Sequence, residues 1–230
     1  MILSVVATPI GNLKDISLRA KEVLEHATLI IAEDTRTTGQ LLKLLGVGGE
    51  HHFISFHAQT SPEALKKALA SCQSHDHIVL VTDAGTPGIS DPGCVFVDAF
   101  RKSYPEASVV PIPGASAVIA ALSVSGFPAS HFEFLGFVPH KKGKQTLFKT
   151  IAETEHTLAC YESPHRIVKT LTDLGAMIGS RPVFIAREIT KAFEEYRFGT
   201  AQEHAQYYTD HSDKCRGEFV VIIAPTGYRI

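Results

Sequence analysis

Asp83 and Asp91 are the only charged residues in the stretch 79–93, VLVTDAGTPGISDPG, and both are negative. Between them lie Gly85, Thr86, Pro87, Gly88, Ile89 and Ser90, small or stiff residues against which a ligand can lie on the backbone. Such a loop suits a cation, or a ligand carrying hydroxyl and amino donors, better than a bare phosphate. A second charged group, Glu33-Asp34-Thr35-Arg36, follows the apolar run 29–32. It is either a salt-bridged cap or a set of side chains facing a site, and spacing alone leaves both open. Glu162, Arg187, Glu188 and Lys191 likewise follow apolar runs, as do His57 and His165, which serve equally well as satisfied structural histidines.

Other chemistries lack their patterns. No G-x-G-x-x-G follows the first apolar run, which disfavours an ordinary dinucleotide fold. No H-E-x-x-H occurs, and Cys72, Cys94, Cys160 and Cys215 are scattered, fitting neither a zinc site nor a disulfide framework. Cys94 and Cys160 have apolar neighbours and are expected in the core. Lys141, Lys142 and Lys144 crowd one loop but lack P-loop spacing; the loop is a solvated surface or a contact for a polyanion.

The elements that must position these groups read as alternating strands and helices. Strands are expected at 3–7, 29–32, 53–56, 78–81 and 108–112. Helices are expected after Ser17, over 38–45 with Gly46 as the stop, from a Thr60-x-x-Glu63 capping box to about residue 72, over 94–103, and over 117–123. This pattern gives a doubly wound, mostly parallel sheet whose C-terminal edge gathers Thr8, Glu33, His57, Asp83 and Pro113, the edge where open α/β sheets bind ligands. A break is suggested at 125–128, dividing the chain into domains 1–124 and 125–230. The second carries strands at 132–137, 157–161, 183–186 and 218–224, a possible antiparallel segment at 194–199, and helices to 153, after Ser163-Pro164 and over 202–208.

The sequence has 230 residues, 44% of them hydrophobic, enough to bury a core, and a formal net charge of −2, which argues against non-specific nucleic-acid binding by the whole surface. The first residues lack a basic n-region and no apolar run approaches a membrane span, so neither signal peptide nor membrane association is expected, and a cytoplasmic protein is.

Six segments occur in order: Val6-Ala7-Thr8-Pro9-Ile10-Gly11-Asn12-Leu13, Ala32-Glu33-Asp34-Thr35-Arg36, Asp83 through Gly93, Pro113-Gly114-Ala115-Ser116-Ala117, Tyr161-Glu162-Ser163-Pro164-His165-Arg166 and Ala186-Arg187-Glu188-Ile189-Thr190-Lys191. Singly they are weak. In this order, running from residue 6 to the last strand, the chain closely resembles the small-subunit ribosomal RNA methyltransferase I family of tetrapyrrole-methylase-like, class III methyltransferases. The resemblance implies two α/β domains with S-adenosylmethionine in the cleft between them. It also implies methyl transfer to the ribose 2′-oxygen of a cytidine in the decoding region of 16S ribosomal RNA. The substrate would be the RNA or the assembled small subunit, and the protein a homodimer. Family members usually continue past the last strand into a short helical segment. This sequence stops at Ile230; if that segment helps hold RNA, the expectation is that RNA binding here is either weakened or rests on Lys141, Lys142 and Lys144.

The resemblance also implies cofactor contacts at Pro9 and Gly11; at Asp83, Gly85, Thr86, Ile89, Ser90 and Asp91; at Ser116 and Ala117; and at Tyr161 and Pro225. A hydroxyl is a weak nucleophile, so it needs a base or careful positioning. Glu33 or Asp34 is expected to accept the proton or orient the ribose, with Lys191 or Arg36 holding the RNA backbone. Two other functions fit the same superfamily: methylation of a tetrapyrrole carbon in a wide apolar cleft, and non-catalytic S-adenosylmethionine binding.

Overall fold

The computed structural model describes residues 1–228, and the chain divides into two compact units, 1–116 and 117–230. The first holds β1 (Ile2–Val6), α1 (Leu18–Glu25), β2 (Leu29–Ala32), α2 (Thr35–Leu45), β3 (His52–Ser55), α3 (Pro62–Cys72), β4 (His77–Val81), α4 (Gly93–Ser103) and β5 (Ser108–Ile112). Its five strands form one parallel sheet in the order β3-β2-β4-β1-β5. Side chains alternate between faces along each strand. Val6, Ile30, Ala32, Val79, Val81 and Ile112 meet Ala20 and Leu24 of α1 and Leu42 of α2. Leu3, Leu29, Ile31, Ile78 and Leu80 meet Ala68 and Cys72 of α3 and Phe96 and Phe100 of α4 on the other face.

The connections therefore change face between neighbouring strands. β1 and β4 lie side by side, yet α1 follows β1 onto one face and α4 follows β4 onto the other. The loops after β1 and β4 part at their shared edge, which is the topological switch point where open α/β sheets bind ligands.

The second unit holds α5 (Ala117–Ser125), β6 (Phe132–Phe137), α6 (Lys144–Glu153), β7 (Thr157–Glu162), α7 (Ile167–Ile178), β8 (Pro182–Arg187), β9 (Glu195–Thr200), α8 (Ala201–Asp210) and β10 (Phe219–Ile223). Its mixed sheet runs β6-β7-β10-β8-β9, with β10 antiparallel to both neighbours. Phe148 and Ile151 of α6, Ile167, Leu171 and Leu174 of α7, and Ala201, Ala205 and Tyr208 of α8 share one core with Leu158, Cys160, Val183, Ile185 and Val221. α5 packs against β7, β8 and β10. That packing moves the boundary to 116/117 from the expected 124/125: the buried side chains Val118, Ala121, Leu122 and Ser125 commit the helix to the second sheet.

Several local expectations are corrected. α2 begins at Thr35, because Asp34 caps it by accepting from the Arg36 amide at 2.8 Å. Ser61, not Thr60, caps α3, and the reciprocal capping box is instead Thr200 with Glu203 on α8. Ser163 and Pro164 lie in a turn before α7, whose N-cap is Arg166. Cys160 is buried but Cys94 is exposed, since the first turn of α4 points it away from the face that carries Phe96 and Phe100. Among the described residues, no helix is long and apolar enough to cross a membrane.

Candidate functional site

The loops at the switch point are knitted together through their backbones. The Thr8 amide donates to the Gly85 carbonyl at 2.9 Å, and the Gly85 amide returns a bond to the Thr8 carbonyl at 3.1 Å. The Thr8 hydroxyl, buried, donates to the Thr82 carbonyl at 3.2 Å. Thr86 Oγ1 donates to the Ala115 carbonyl at 3.0 Å, drawing in the loop after β5. Gly85 has φ +88°, and a Cβ there would lie 3.4 Å from Ile10 Cγ2; at Gly114 a Cβ would fall 2.9 Å from that of Ala7. Glycine at both places is what lets three loops approach. Pro9, Gly11, Asp83, Gly85, Thr86, Ile89, Ser90 and Ser116 all belong to these loops, with Gly11, Asp83, Ile89 and Ser90 exposed.

Asp91 has a different job. Its Oδ1 accepts from the Gly93 amide at 2.7 Å, and both its oxygens accept from the Gly88 amide, at 2.9 and 2.8 Å. It is a staple that closes the 88–93 turn. Ser90, inside that turn, is held at φ +66°.

The two adjacent carboxylates after β2 separate cleanly. Asp34 receives the Arg36 amide and guanidinium, at 2.8, 3.1 and 2.6 Å, and these bonds hold its carboxyl well below the usual range. It is a cap and an ion-pair partner, while the Arg36 side chain stays 90% exposed. Glu33 is half-buried. Its Oε2 accepts from Thr82 Oγ1 at 2.5 Å and from the Asp83 amide at 3.4 Å, and among the described residues no donor is bound to its Oε1. Asp83 Oδ1 accepts from the Asp34 amide at 3.1 Å; partial burial, then the Glu33 charge, push the Asp83 carboxyl upward. Thr8 was placed at this edge by the sequence, but Thr82 was not singled out as a site residue; the signal available was a hydroxyl directly after the buried strand β4.

The edge thus presents carboxylate oxygens, loop backbone and the exposed Ile89 side chain. That set of acceptors fits S-adenosylmethionine, whose sulfonium is cationic and whose amine and hydroxyl groups donate. Two surface hollows, of about 610 and 430 Å³, lie elsewhere on this unit and include none of these residues.

In the second unit, Tyr161 pairs with Val220, and its ring meets Phe134 and Phe137 edge-on at 4.9 and 5.4 Å. Burial pushes its hydroxyl upward, opposed by the Val118 amide at the start of α5, the helix that Ala117 opens. Pro225 is half-buried just after β10. Lys191 is not a free cation: Nζ donates to Glu188 at 2.8 Å and Glu218 at 3.0 Å. Burial lowers its affinity for the proton, but these two carboxylates outweigh that and raise it. Lys141 and Lys142 are exposed in the loop before α6, as expected. Lys144 does not share that solvated loop surface: it is the first residue of α6, its side chain is 13% exposed, and Nζ donates to Asp173 at 3.0 Å.

Comparison with known proteins places the fold and the family. The model of the tetrapyrrole (corrin/porphyrin) methylases matches residues 3–205. A crystal structure of diphthine synthase superposes with a TM-score of 0.75 at 13% identity, covering 100% of this chain and 92% of that one. Uroporphyrin-III C-methyltransferase from Thermus thermophilus, complexed with S-adenosyl homocysteine, gives 0.65 at 17% identity over 97% of each chain. The fold is that of a tetrapyrrole methylase. Ribosomal RNA small subunit methyltransferase I of Synechocystis sp. is 45% identical over 225 residues, 97% of this chain and 78% of the relative. That of Thermotoga maritima is 38% identical over 222 residues, 96% of this chain and 97% of the relative. The chain belongs to the ribosomal RNA small subunit methyltransferase I family, and is an S-adenosylmethionine-dependent methyltransferase.

Proposed function

We propose that this protein methylates the ribose 2′-oxygen of a cytidine in the decoding region of 16S ribosomal RNA, with the assembled small subunit as substrate. The observation that carries the reading is the near full-length similarity, at 38–45% identity, to proteins named for small-subunit ribosomal RNA methylation. The switch-point edge supports it, because its free groups are acceptors suited to a cationic cofactor and a ribose hydroxyl.

S-adenosylmethionine, when bound, supplies an electrophilic methyl group on a sulfonium that leaves as a neutral thioether without help from an acid. The protein's part is to bind, orient and take a proton. Pro9, Gly11, Asp83, Gly85, Thr86, Ile89, Ser90 and Ser116 form the cofactor loops, with Asp91 keeping the turn shut. Glu33, with one oxygen clamped and one free, is the group that faces the acceptor hydroxyl, a role that the closed pair of Asp34 and Arg36 does not leave to Asp34. Lys141 and Lys142, and the exposed side of Arg36, meet RNA phosphates. Lys191 does so only by leaving its two carboxylates. On this reading the protein works in the cytoplasm beside the subunits it modifies, as a homodimer, which sedimentation of the purified protein tests.

The decisive experiment incubates the protein and isotope-labelled S-adenosylmethionine with purified small subunits, with free RNA and with a reduced tetrapyrrole. Label recovered in a 2′-O-methylcytidine from the subunit RNA bears the reading out. Label in the tetrapyrrole, on a base, or in no acceptor despite cofactor binding overturns it.

A further inference from the structure

We propose that Thr82 is a positioning residue for methyl transfer: its buried hydroxyl fixes Glu33 so that the carboxylate's free oxygen meets the acceptor hydroxyl. The proposal rests on the reading of the reaction given above and assigns a role within it to a residue with no other visible work for its side chain.

Thr82 is 6% exposed and directly follows β4. Its Oγ1 lies 2.5 Å from Glu33 Oε2. A carboxylate only accepts, so the hydroxyl proton lies between them, pointing at Glu33. Hydrogen bonds from a neutral donor to a charged acceptor are the short, strong kind. The Thr82 carbonyl is held independently, by the hydroxyl of Thr8 at 3.2 Å, and Thr8 is the residue that clips the β1 loop to Gly85. The clip that shapes the cofactor loops and the clamp that aims Glu33 therefore meet at one residue, 49 positions from Glu33 in the chain. A free glutamate side chain samples several rotamers. Here one oxygen is pinned by Thr82, with the Asp83 amide nearby at 3.4 Å, and the other is left for the substrate. As the new bond forms between the ribose oxygen and the methyl carbon and the carbon–sulfur bond breaks, the hydroxyl proton passes to Glu33 Oε1 and then to water. The sulfonium's positive charge thus leaves the site as that proton. A base held within hydrogen-bond reach is worth far more than one that must first find its orientation.

The test compares Thr82→Val, Thr82→Ala and Thr82→Ser with the parent. All three keep the backbone carbonyl that Thr8 uses, so loop shape is preserved while the hydroxyl is removed or retained. Single-turnover transfer to small subunits should fall about 10- to 100-fold in the Val and Ala variants. The Ser variant should return to within about threefold of the parent, with KM for subunits and calorimetric Kd for S-adenosyl homocysteine unchanged within about twofold throughout. In a Glu33→Gln background, Thr82→Val should cost nothing more, because the two residues act as one unit. The proposal is overturned if Thr82→Ser is as impaired as Thr82→Val, or if the losses add in the Glu33→Gln background. It is equally overturned if the defect lies in cofactor Kd, or in melting temperature with the folded fraction fully active. Parent protein that methylates no subunit at all defeats the assigned reaction instead, and active parent with undiminished Thr82→Val and Thr82→Ala defeats this proposal alone.

Discussion

Replacing Asp91 by alanine separates a residue that shapes a binding loop from one that touches the ligand. The carboxylate receives two backbone amides: that of Gly93, a buried residue, at 2.7 Å, and that of Gly88, half-buried, shared between both oxygens. Hydrogen bonds to a charged group contribute about 1.5–3 kcal/mol each in mutational series. The Gly93 amide has no water to turn to and incurs the full cost, while the Gly88 amide recovers part of its loss from solvent. The expected destabilisation is about 2–3 kcal/mol, or about 5–10 °C in melting temperature for a chain of this size. Asp91→Asn retains a single acceptor oxygen and should fall between. The cofactor effect is indirect: a loosened 88–93 turn must be ordered at the moment of binding, so Kd for S-adenosyl homocysteine rises about tenfold with a more unfavourable binding entropy. Differential scanning calorimetry and titration calorimetry on parent, Asn and Ala forms measure both. A melting temperature equal to the parent's, together with a large loss of binding enthalpy, would refute the staple and make Asp91 a direct ligand.

Glu33→Gln should lower single-turnover transfer roughly 10²-fold with little change in melting temperature, whereas Asp34→Asn should lower the melting temperature and leave the folded fraction active. Lys141→Ala with Lys142→Ala should reduce the salt dependence of RNA binding by up to about one unit of slope per lost phosphate contact, and Lys144→Met should not. Lys144→Met should instead cost about 1 kcal/mol of stability at neutral pH. The hydrogen bond from Lys144 holds the Asp173 carboxyl below its ordinary range in the fold, so that contribution is present above about pH 4 and disappears as the pH falls further; urea titrations of parent and variant should converge in acid. Burial pushes the thiols of Cys72 and Cys160 up to about 11 and about 12. At about pH 8, Cys94 should therefore react first with a thiol reagent, Cys215 slowly, and these two only on unfolding.

The parallel half of the fold was legible because its signals are local. Apolar runs of four or five residues, each closed by a polar loop and followed by a capped helix, leave few alternatives, and Ser17 and Gly46 act as caps just where expected. The loops at the switch point were legible for the same reason: each follows its strand directly. What periodicity does not carry is the partner of a side chain far along the chain. Lys144 reads as one of three loop lysines until Asp173, 29 residues on, is brought to it. Lys191 reads as a free cation until Glu218 arrives from the strand beside it. The part Asp91 takes in closing its own turn was hidden for the opposite reason. Its partners are two and three residues away, but the turn that points their amides inward depends on Ser90 at φ +66°, a conformation that residue type alone does not announce. The domain break was displaced because the small, apolar helix 117–125 carries no mark of which sheet it covers.

The order in which the second sheet's strands are made has a bearing on how the protein is born. All five strands of the first sheet are complete once residue 112 has emerged, so that unit can close while translation continues. The second cannot: β10, the last strand to be synthesised, is the one that lies between β7 and β8. Until residues 219–223 leave the ribosome, β7 and β8 each present an open edge and the core around Val221 has no centre. The nascent second half therefore waits as a pair of unjoined sheet fragments, exposed to chaperones and to mispairing, and its folding is a single late event triggered by arrival of one central strand.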